Sequence, residues 1–184
     1  MSFIQLILFV MGSLGIVWFS RSSLKNSGNH GFYRFFAWEV ILVLFVRNMP
    51  DWFQNPFSPQ QLLSWVFLIL SLILIAQGVQ LFRQEGNLDQ NREDPTLVGI
   101  EKTTQLVTSG VYGYIRHPFY ASLLFLTWGI FIKQITWIGF ILALWASIFL
   151  FITAKIEEGE NIQFFGNPYQ DYMQSTKMFI PFIL

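Results

Sequence analysis

The sequence predicts an all-α fold, an integral membrane helical bundle of about five transmembrane segments whose last two form a helical hairpin. Two observations carry this prediction, the composition and the length of the apolar segments. Of the 184 residues, 53% are hydrophobic and only 12% are charged. Because a soluble domain carries about a quarter charged residues, the deficit indicates that much of the chain lies in a bilayer.

Five apolar segments follow one another along the chain, and each is expected to be a helix. A spanning helix needs about 20 mostly apolar residues. The first, third and fifth segments are long enough, whereas the second and fourth are short unless their polar flanks join the helix. Only Lys133 and Gln134 separate the fourth from the fifth, so these two are predicted to form the hairpin. The segments are Phe3–Ser20, Phe32–Val46, Leu62–Phe82, Phe119–Ile132 and Ile135–Ala154.

The first segment is interpreted as a retained span. A secretory signal has basic residues ahead of its apolar stretch, whereas here Arg21 and Lys25 come after it. With an external N-terminus and five crossings, nine Lys and Arg residues fall on the inner side and two, Arg47 and Lys133, on the outer side. Since cytoplasmic loops are enriched in Lys and Arg, we expect the N-terminus outside and the long polar segments in the cytoplasm.

The whole chain, residues 1–184, is predicted to be a single membrane domain. Residues 1–82 would contribute three N-terminal spans, and residues 83–184 the polar loop, the hairpin and a C-terminal tail. The chain has no Cys, which excludes disulfides, thiolate metal sites and Cys nucleophiles. Because the chain also has only two His, no zinc site is expected. The net charge is zero, so no nucleic acid partner is implied.

Most of the polar chemistry lies in the loop Arg83–His117 and the tail Glu157–Leu184. On the same side of the bilayer, the two stretches can meet beside the fourth and fifth segments and form one composite site. Pro118 suits the first position of a helix, so His117 is expected at the N-cap and Arg116 at the membrane surface. The Arg-His-Pro sequence could equally do no more than anchor and start a helix.

The tail allows two interpretations for its acidic and aromatic residues. Glu157 and Glu158 directly follow the fifth span and could be solubilising groups, or they could face His117 across a cleft and remove a proton. Tyr169 and Tyr172 are three apart and would share one helical face, or they could be interfacial aromatic anchors.

Two further ionisable residues lie in the N-terminal half. Glu39 falls inside the second span, where a charged group costs about 2.5–3.5 kcal/mol or more. It is therefore expected to make a structural hydrogen bond, with Gln77 and Gln80 as candidate neighbours. His30 lies among Asn and Gly residues and is expected to be solvated.

The stretch "LVTSGVYGYIRHPFY" and the later stretch "EEGENIQFFGNPYQDYMQSTKMFIP" form an ordered set of motifs across residues 106–181. RHP-x-Y alone is a weak signal, but the ordered set at these spacings is specific. It resembles the isoprenylcysteine carboxyl methyltransferase family and its relatives among the phospholipid N-methyltransferases. The matching positions are Leu106–Thr108, Gly110, Tyr112, Arg116–Pro118, Tyr120, Glu157–Glu158, Phe165–Gly166, Tyr169, Tyr172 and Ile180–Pro181.

The resemblance implies S-adenosyl-L-methionine as the methyl donor, with no metal and no Rossmann domain. The eukaryotic members carry an Arg, implicated in holding the substrate carboxylate, four residues before the position of Glu157. This chain has Thr153 at that position. The difference argues against a prenylcysteine carboxylate as the acceptor and does not affect the identity of the methyl donor. The candidate catalytic residues are Arg116, Glu157 and Glu158. The cofactor contacts of the family fall on Thr104, Gln105, Leu106, Val107, Tyr112, His117, Pro118, Phe119, Tyr120 and Glu157.

The implied function is methyl transfer to a lipophilic acceptor at the membrane, with membrane lipids as further partners. The acceptor would be the carboxylate of a prenylcysteine-like compound or another lipid. A carboxylate needs no base, whereas a lipid amine must lose a proton, for which Glu157 or Glu158 is the candidate base. An NADPH-dependent membrane sterol or enone reductase is the alternative, although such enzymes offer more basic residues for the 2′-phosphate. A non-catalytic membrane scaffold is a third interpretation.

Overall fold

The computed structural model describes residues 2–87 and 103–182, and within these two ranges the regular structure is helical, with no strand. The all-α prediction is therefore confirmed for the described residues. Single 3-10 turns lie at Ser23–Lys25, Met49–Asp51 and Gly110–Gly113. The α-helices in these ranges are α1 (Phe3–Ser20), α2 (His30–Asn48), α3 (Pro59–Glu85), α4 (Pro118–Lys133), α5 (Trp137–Phe165) and α6 (Asn167–Ser175).

Three of these helices, α1, α3 and α5, are long and apolar enough to cross a membrane. The chain is thus an integral membrane protein. Helix α4 is apolar but shorter, with 16 residues, and α2 reaches 19 residues only by taking in polar flanks at both ends. Helix α5 continues far beyond the predicted end at Ala154, through a polar stretch to Phe165.

The helices begin where side chains can satisfy free backbone N–H groups. Asn29, Ser58 and Thr136 each accept a hydrogen bond from the backbone three residues on, at the starts of α2, α3 and α5. Such caps stabilise a helix by about 1 kcal/mol. Helix α4 starts differently, because His117 occupies the N-cap without a side-chain cap bond and Pro118 takes the first position, as predicted.

Helix α3 packs along α4, and α2 packs along α5 and also contacts α1 and α4. Small residues permit the close approach of α3 and α4. A Cβ added at Gly129 would lie 2.9 Å from a methyl group of Leu68, and one added at Gly78 would lie 3.2 Å from the Phe119 ring. Helix α1 leaves most of its surface exposed, as expected of a helix that faces lipid.

Polar groups inside the bundle have specific partners. The Ser13 hydroxyl on α1 donates to Glu39 on α2 at 3.0 Å. The predicted structural hydrogen bond of Glu39 is confirmed, with Ser13 as partner instead of a Gln from the third segment. At the opposite end of the bundle from the loop, Lys133 is buried, donates to Gln61 at 2.9 Å, and lies 3.6 Å from the centre of the Trp65 ring.

The expectation that His30 is solvated is wrong. Its side chain is fully buried. Its backbone N–H donates to Glu160 Oε1 at 3.1 Å, and its ring Nδ1 contacts Glu160 Oε2. The reason is the polar extension of α5, which carries Glu160 alongside the first turn of α2.

Candidate active site

The loop and the C-terminal tail lie against each other, as predicted. The backbone N–H of Arg116 donates to the Lys177 carbonyl at 2.8 Å, and that of His117 donates to the Met178 carbonyl at 3.1 Å. In return, the Lys177 N–H donates to the Tyr114 carbonyl at 3.0 Å. These bonds hold the start of α4 against the tail. Residues 88–102 of the predicted loop lie outside the described residues.

Gly110 positions the 3-10 turn that precedes α4. Its φ is +54°, and a Cβ at this position would lie 2.9 Å from a methyl group of Leu81 on α3. Glycine alone adopts this conformation without strain and leaves room for α3. The turn buries Tyr112, whose ring stacks on Phe82 with centroids 4.9 Å apart and whose carbonyl accepts a hydrogen bond from the Tyr172 hydroxyl at 2.7 Å.

Two adjoining cavities lie between the end of α3, the loop, α5 and α6, and together they form the candidate pocket. Both are lined by Phe82, Tyr112, Arg116 and Glu157. All the predicted site residues except Thr104 and Glu158 line one or the other. The first cavity is lined in addition by Thr103, Gln105, Leu106, Val107, Asn161, Phe165, Tyr169 and Tyr172, and the second by His117, Pro118, Phe119 and Tyr120.

The two predicted residues outside the pocket lining have other contacts. The Thr104 hydroxyl donates to the Asn87 carbonyl at 2.9 Å, and its backbone N–H donates to the Gly86 carbonyl at 3.1 Å. Thr104 thus ties the loop to the end of α3. Glu158 is buried next to the cavity lining, with Oε1 2.7 Å from Arg116 Nη2 and 3.7 Å from His117 Nε2.

Glu158 belongs to a buried ion-pair network with Arg116. Arg116 Nε and Nη2 lie 2.8 and 2.7 Å from Glu158 Oε1, and Lys155 Nζ lies 3.0 Å from Oε2. Arg116 Nη1 donates to the carbonyls of Met173, at 3.2 Å, and Thr176. The guanidinium therefore joins the loop, α5 and the end of α6, and all three of its nitrogen atoms are engaged.

Glu157 faces the pocket. The Tyr120 hydroxyl donates to Glu157 Oε2 across the gap between α4 and α5. Its electrostatic neighbours are His117, His30 and Arg34. A half-buried carboxylate surrounded by groups that carry or can take up positive charge is suited to binding a cation or accepting a proton.

The tyrosines of α6 are buried parts of the pocket wall and not interfacial anchors. Burial raises the pKa of the Tyr169 hydroxyl above its usual value, and the negative charge of Glu157 adds to the shift. Burial likewise raises the pKa of Tyr172. Both hydroxyls therefore stay protonated at neutral pH. The Tyr172 hydroxyl donates to the Tyr112 carbonyl, and the Tyr169 hydroxyl accepts from Asn161 Nδ2 at 3.5 Å.

Sequence reasoning missed several residues that line the pocket, namely Phe82, Thr103, Asn161 and Phe165. Two of them had a usable signal. Asn161 and Phe165 follow Glu157 at intervals of four, so they share its face if α5 continues past the membrane. The predicted end at Ala154 concealed this.

An apolar groove of about 280 Å³ runs beside the pocket. Phe179 lines this groove, and the centre of its ring lies 6.2 Å from that of His117, which lines the pocket. The groove and the pocket are thus neighbours through the contact of Phe179 with His117. The groove residues come from α3, α4, α5 and the tail: Phe67, Ala121, Leu124, Phe125, Trp128, Ser147, Phe179 and Ile180.

Fold and site together define a membrane-embedded helical protein with a polar pocket at the ends of its helices. Residues 66–168, more than half of the chain, match the family described as phospholipid methyltransferase. The chain belongs to this family. The predicted resemblance is therefore confirmed.

The chain is similar to methyltransferases of different named specificity. The protein-S-isoprenylcysteine O-methyltransferase of Dictyostelium discoideum is 32% identical over 152 residues, which cover 77% of this chain and 59% of that protein. The methanethiol S-methyltransferase of Pseudomonas deceptionensis is 27% identical over 119 residues, covering 65% of this chain and 42% of that protein. The protein-S-isoprenylcysteine O-methyltransferase of Xenopus laevis is 31% identical over 128 residues, covering 66% and 42%.

The chain thus spans between two fifths and three fifths of the length of these relatives. No solved structure matches it significantly.

Proposed function

We propose that the chain is an integral-membrane methyltransferase that uses S-adenosyl-L-methionine and methylates a lipophilic acceptor. The observation that carries the proposal is the contact of His117, in the polar pocket, with Phe179, in the apolar groove, in a chain of the phospholipid methyltransferase family. A water-soluble donor and a lipid-soluble acceptor need two such compartments in contact.

The pocket suits the donor chemically. S-Adenosyl-L-methionine supplies an electrophilic methyl group on a positively charged sulfur. The carboxylate of Glu157 offers favourable electrostatics to that charge, and Gln105 and Asn161 offer polar groups to the ribose and the amino acid part. The aromatic and aliphatic lining provided by Phe82, Phe165 and neighbouring residues suits an adenine ring.

The groove suits the acceptor. Its lining is almost wholly apolar and includes Phe179, which contacts His117, so it can hold a hydrocarbon chain with the reactive group near the pocket. Holding donor and acceptor in line is worth about 7–11 kcal/mol of the barrier in favourable cases. The names of the relatives include prenylcysteine and methanethiol acceptors, and a prenylcysteine-like compound is one candidate here.

Of the three candidate catalytic residues, Glu157 is the one we propose to act on the reactants. Glu158 and Arg116 bond mainly to each other and to the tail, so we assign them to holding the loop, α5 and α6 together. Main-chain groups of residues 105–107 and the side chain of His117 complete the proposed donor site.

The proposed topology has five crossings, with the N-terminus outside and the pocket on the cytoplasmic side. The bias of nine inner against two outer Lys and Arg residues supports it. Helices α4 and α5 would form the hairpin, residues 1–82 the three N-terminal spans, and residues 83–184 the catalytic part.

The test compares ligands by thermal shift on the purified full chain in detergent. At about 100 times its dissociation constant a ligand stabilises by about 2.7 kcal/mol, which corresponds to about 5–11 °C for a chain of this size. We expect S-adenosylhomocysteine to give such a shift and NADPH to give none. With S-adenosyl-L-methionine as the ligand, Glu157→Gln should abolish the shift, and Glu39→Gln, which changes a remote half-buried carboxylate, should retain it. If NADPH alone raises the unfolding temperature, the proposal is refuted and the reductase alternative takes its place.

A further inference from the structure

His30 at the start of α2 and Glu160 on α5 form a pair about one helical turn from Glu157. Glu160 holds His30 at two points, by accepting the backbone N–H at 3.1 Å and by contacting the ring at Nδ1. The His30 side chain is fully buried, whereas the Glu160 side chain is 30% exposed. The pair therefore reaches from the interior of the protein to its surface.

The other ring nitrogen of His30 has no such contact. Nε2 is buried and has no hydrogen-bond partner among residues 2–87 and 103–182. A carboxylate that binds one nitrogen of an imidazole fixes the orientation of the ring and leaves the second nitrogen to exchange a proton. A buried histidine arranged in this way has the features of a proton acceptor.

The pair lies near the pocket residue Glu157. Glu157 and Glu160 are three residues apart and so lie on one face of α5, and Glu160 contacts His30. The charged groups around His30 are Glu160 and Glu157 from α5 and Arg34 from α2. Glu157, which lines the pocket, is thus about one helical turn from the residue that holds His30.

We propose that His30 takes up the proton that Glu157 receives during methyl transfer, and that the acceptor accordingly carries a labile proton on sulfur or nitrogen. This inference rests on the proposed methyltransferase function and names its acceptor class, a thiol or an amine attached to an apolar group. His30 acts through Glu157 and is a positioning and proton-transfer residue.

The step balances as follows. The lone pair of the acceptor sulfur or nitrogen forms the new bond to the methyl carbon, and the old carbon–sulfur bond breaks with its electrons remaining on the donor sulfur. The acceptor loses one proton to Glu157, which passes it to His30. The proton then leaves to solvent at the exposed side of Glu160. A carboxylate acceptor would release no proton and would need none of these groups.

The cations near the pocket support the same acceptor class. A carboxylate acceptor needs a cation to hold it, and all three nitrogen atoms of the Arg116 guanidinium are engaged by Glu158 and two carbonyls. Thr153 is fully buried and its hydroxyl donates to the Phe149 carbonyl at 2.7 Å. Arg34 is also buried, with the centre of its guanidinium 5.1 Å from the Trp38 ring centroid.

The test uses the full chain in detergent with three probe acceptors: decanethiol, decylamine and an N-acetylated farnesylcysteine, which offers only a carboxylate. His30→Asn keeps an amide near the position of Nδ1, so it retains the bond to Glu160 and lacks Nε2. Glu39→Gln, which alters a half-buried polar group elsewhere on α2, is the matched control. Methyl transfer is followed with labelled S-adenosylmethionine over a range of pH, and affinity for S-adenosylhomocysteine by titration calorimetry.

A second readout does not depend on turnover. The chain contains two His, so a sample labelled with 15N-histidine gives two imidazole spectra, and His117→Gln assigns them. We expect the titration midpoint of His30 to move in Glu157→Gln and in Glu160→Gln, and to stay in place in Glu39→Gln.

His30→Asn should slow the thiol and amine reactions by about 100-fold and remove one limb of their pH profile, with S-adenosylhomocysteine affinity unchanged. Three results would overturn the inference. They are an equal loss of rate with every acceptor, methyl transfer to the carboxylate probe alone, and a His30 titration midpoint that is the same in Glu157→Gln as in the unaltered chain. Failure of the proposed methyltransferase function can be distinguished from failure of this inference, because in the first case the unaltered chain would not bind S-adenosylhomocysteine.

Discussion

Replacing Arg116 by Ala should destabilise the protein strongly, because this one cation connects three parts of the site. Its guanidinium pairs with Glu158 on α5 through two nitrogen atoms and donates to the carbonyls of Met173 and Thr176 through the third. The side chains of Arg116 and Glu158 are only 9% and 4% exposed. The substitution leaves a buried carboxylate and two carbonyls without their main partner.

The expected loss can be derived from these contacts. Removing one partner of a buried ion pair costs about 3–5 kcal/mol. Lys155 still contacts the second oxygen of Glu158, but it is 51% exposed, and exposed pairs contribute about 0–1 kcal/mol. We therefore expect about 3–5 kcal/mol for Arg116→Ala, which corresponds to a decrease in Tm of about 6–20 °C. Lys155→Ala, the matched control, should lower Tm by less than about 4 °C.

The assay is thermal unfolding in detergent of the two single variants, Arg116→Ala and Glu158→Gln, and of the double variant. Neutralising Glu158 removes the unpaired buried charge, so the double variant should be less destabilised than the sum of the singles, by about 0.5–3 kcal/mol. Additive losses would refute the network. An Arg116→Ala protein of unchanged Tm that has lost only methyl transfer would show that Arg116 acts on a reactant.

Further predictions concern the pocket, the turn and the groove. Glu157→Gln should stay folded but lose measurable affinity for S-adenosyl-L-methionine in titration calorimetry, and unchanged affinity would remove Glu157 from the donor site. Gly110→Ala should cost about 1–3 kcal/mol because of its positive φ and its contact with α3, measured as a lower Tm; Gly15→Ala, in open space on α1, is the control. Ser147→Phe should fill the groove and raise KM for long-chain acceptors, and an equal rise for short-chain acceptors would argue against a chain-binding groove.

The helices and the meeting of loop and tail could be predicted from local features of the sequence. A bilayer demands long apolar segments, so each predicted segment contains the core of a helix. Pro118 sets the start of α4 by its fixed φ and missing N–H. The partners of the buried polar groups could not be predicted in this way, because a pattern of residues does not say which helices are neighbours. Ser13 as the partner of Glu39 is one example.

The main feature that the sequence analysis missed is the polar C-terminal end of α5, because hydropathy does not predict a helix in a polar segment. Once the helix is known to continue to Phe165, Glu157, Asn161 and Phe165 fall on one face by periodicity. The contact of Glu160 with His30 still requires α2 and α5 to be neighbours, since 130 residues separate the pair. Periodicity alone also fails to distinguish Glu157 from Glu158, because the orientation of α5 decides which of the two adjacent carboxylates faces the pocket.

The two glutamates belong to networks of different character, and the difference separates structure from function. Around Glu158 the partners are complete: both carboxylate oxygens and every nitrogen of Arg116 are engaged. A buried network that is fully paired rigidifies its surroundings and has little capacity to change charge. Around Glu157 the pairing is open, since its carboxylate faces a cavity and the nearby His30 has a buried nitrogen with no hydrogen-bond partner in the described ranges. Such a group costs free energy in the folded state, and its retention next to a pocket is explained if the nitrogen takes up a proton during each reaction cycle.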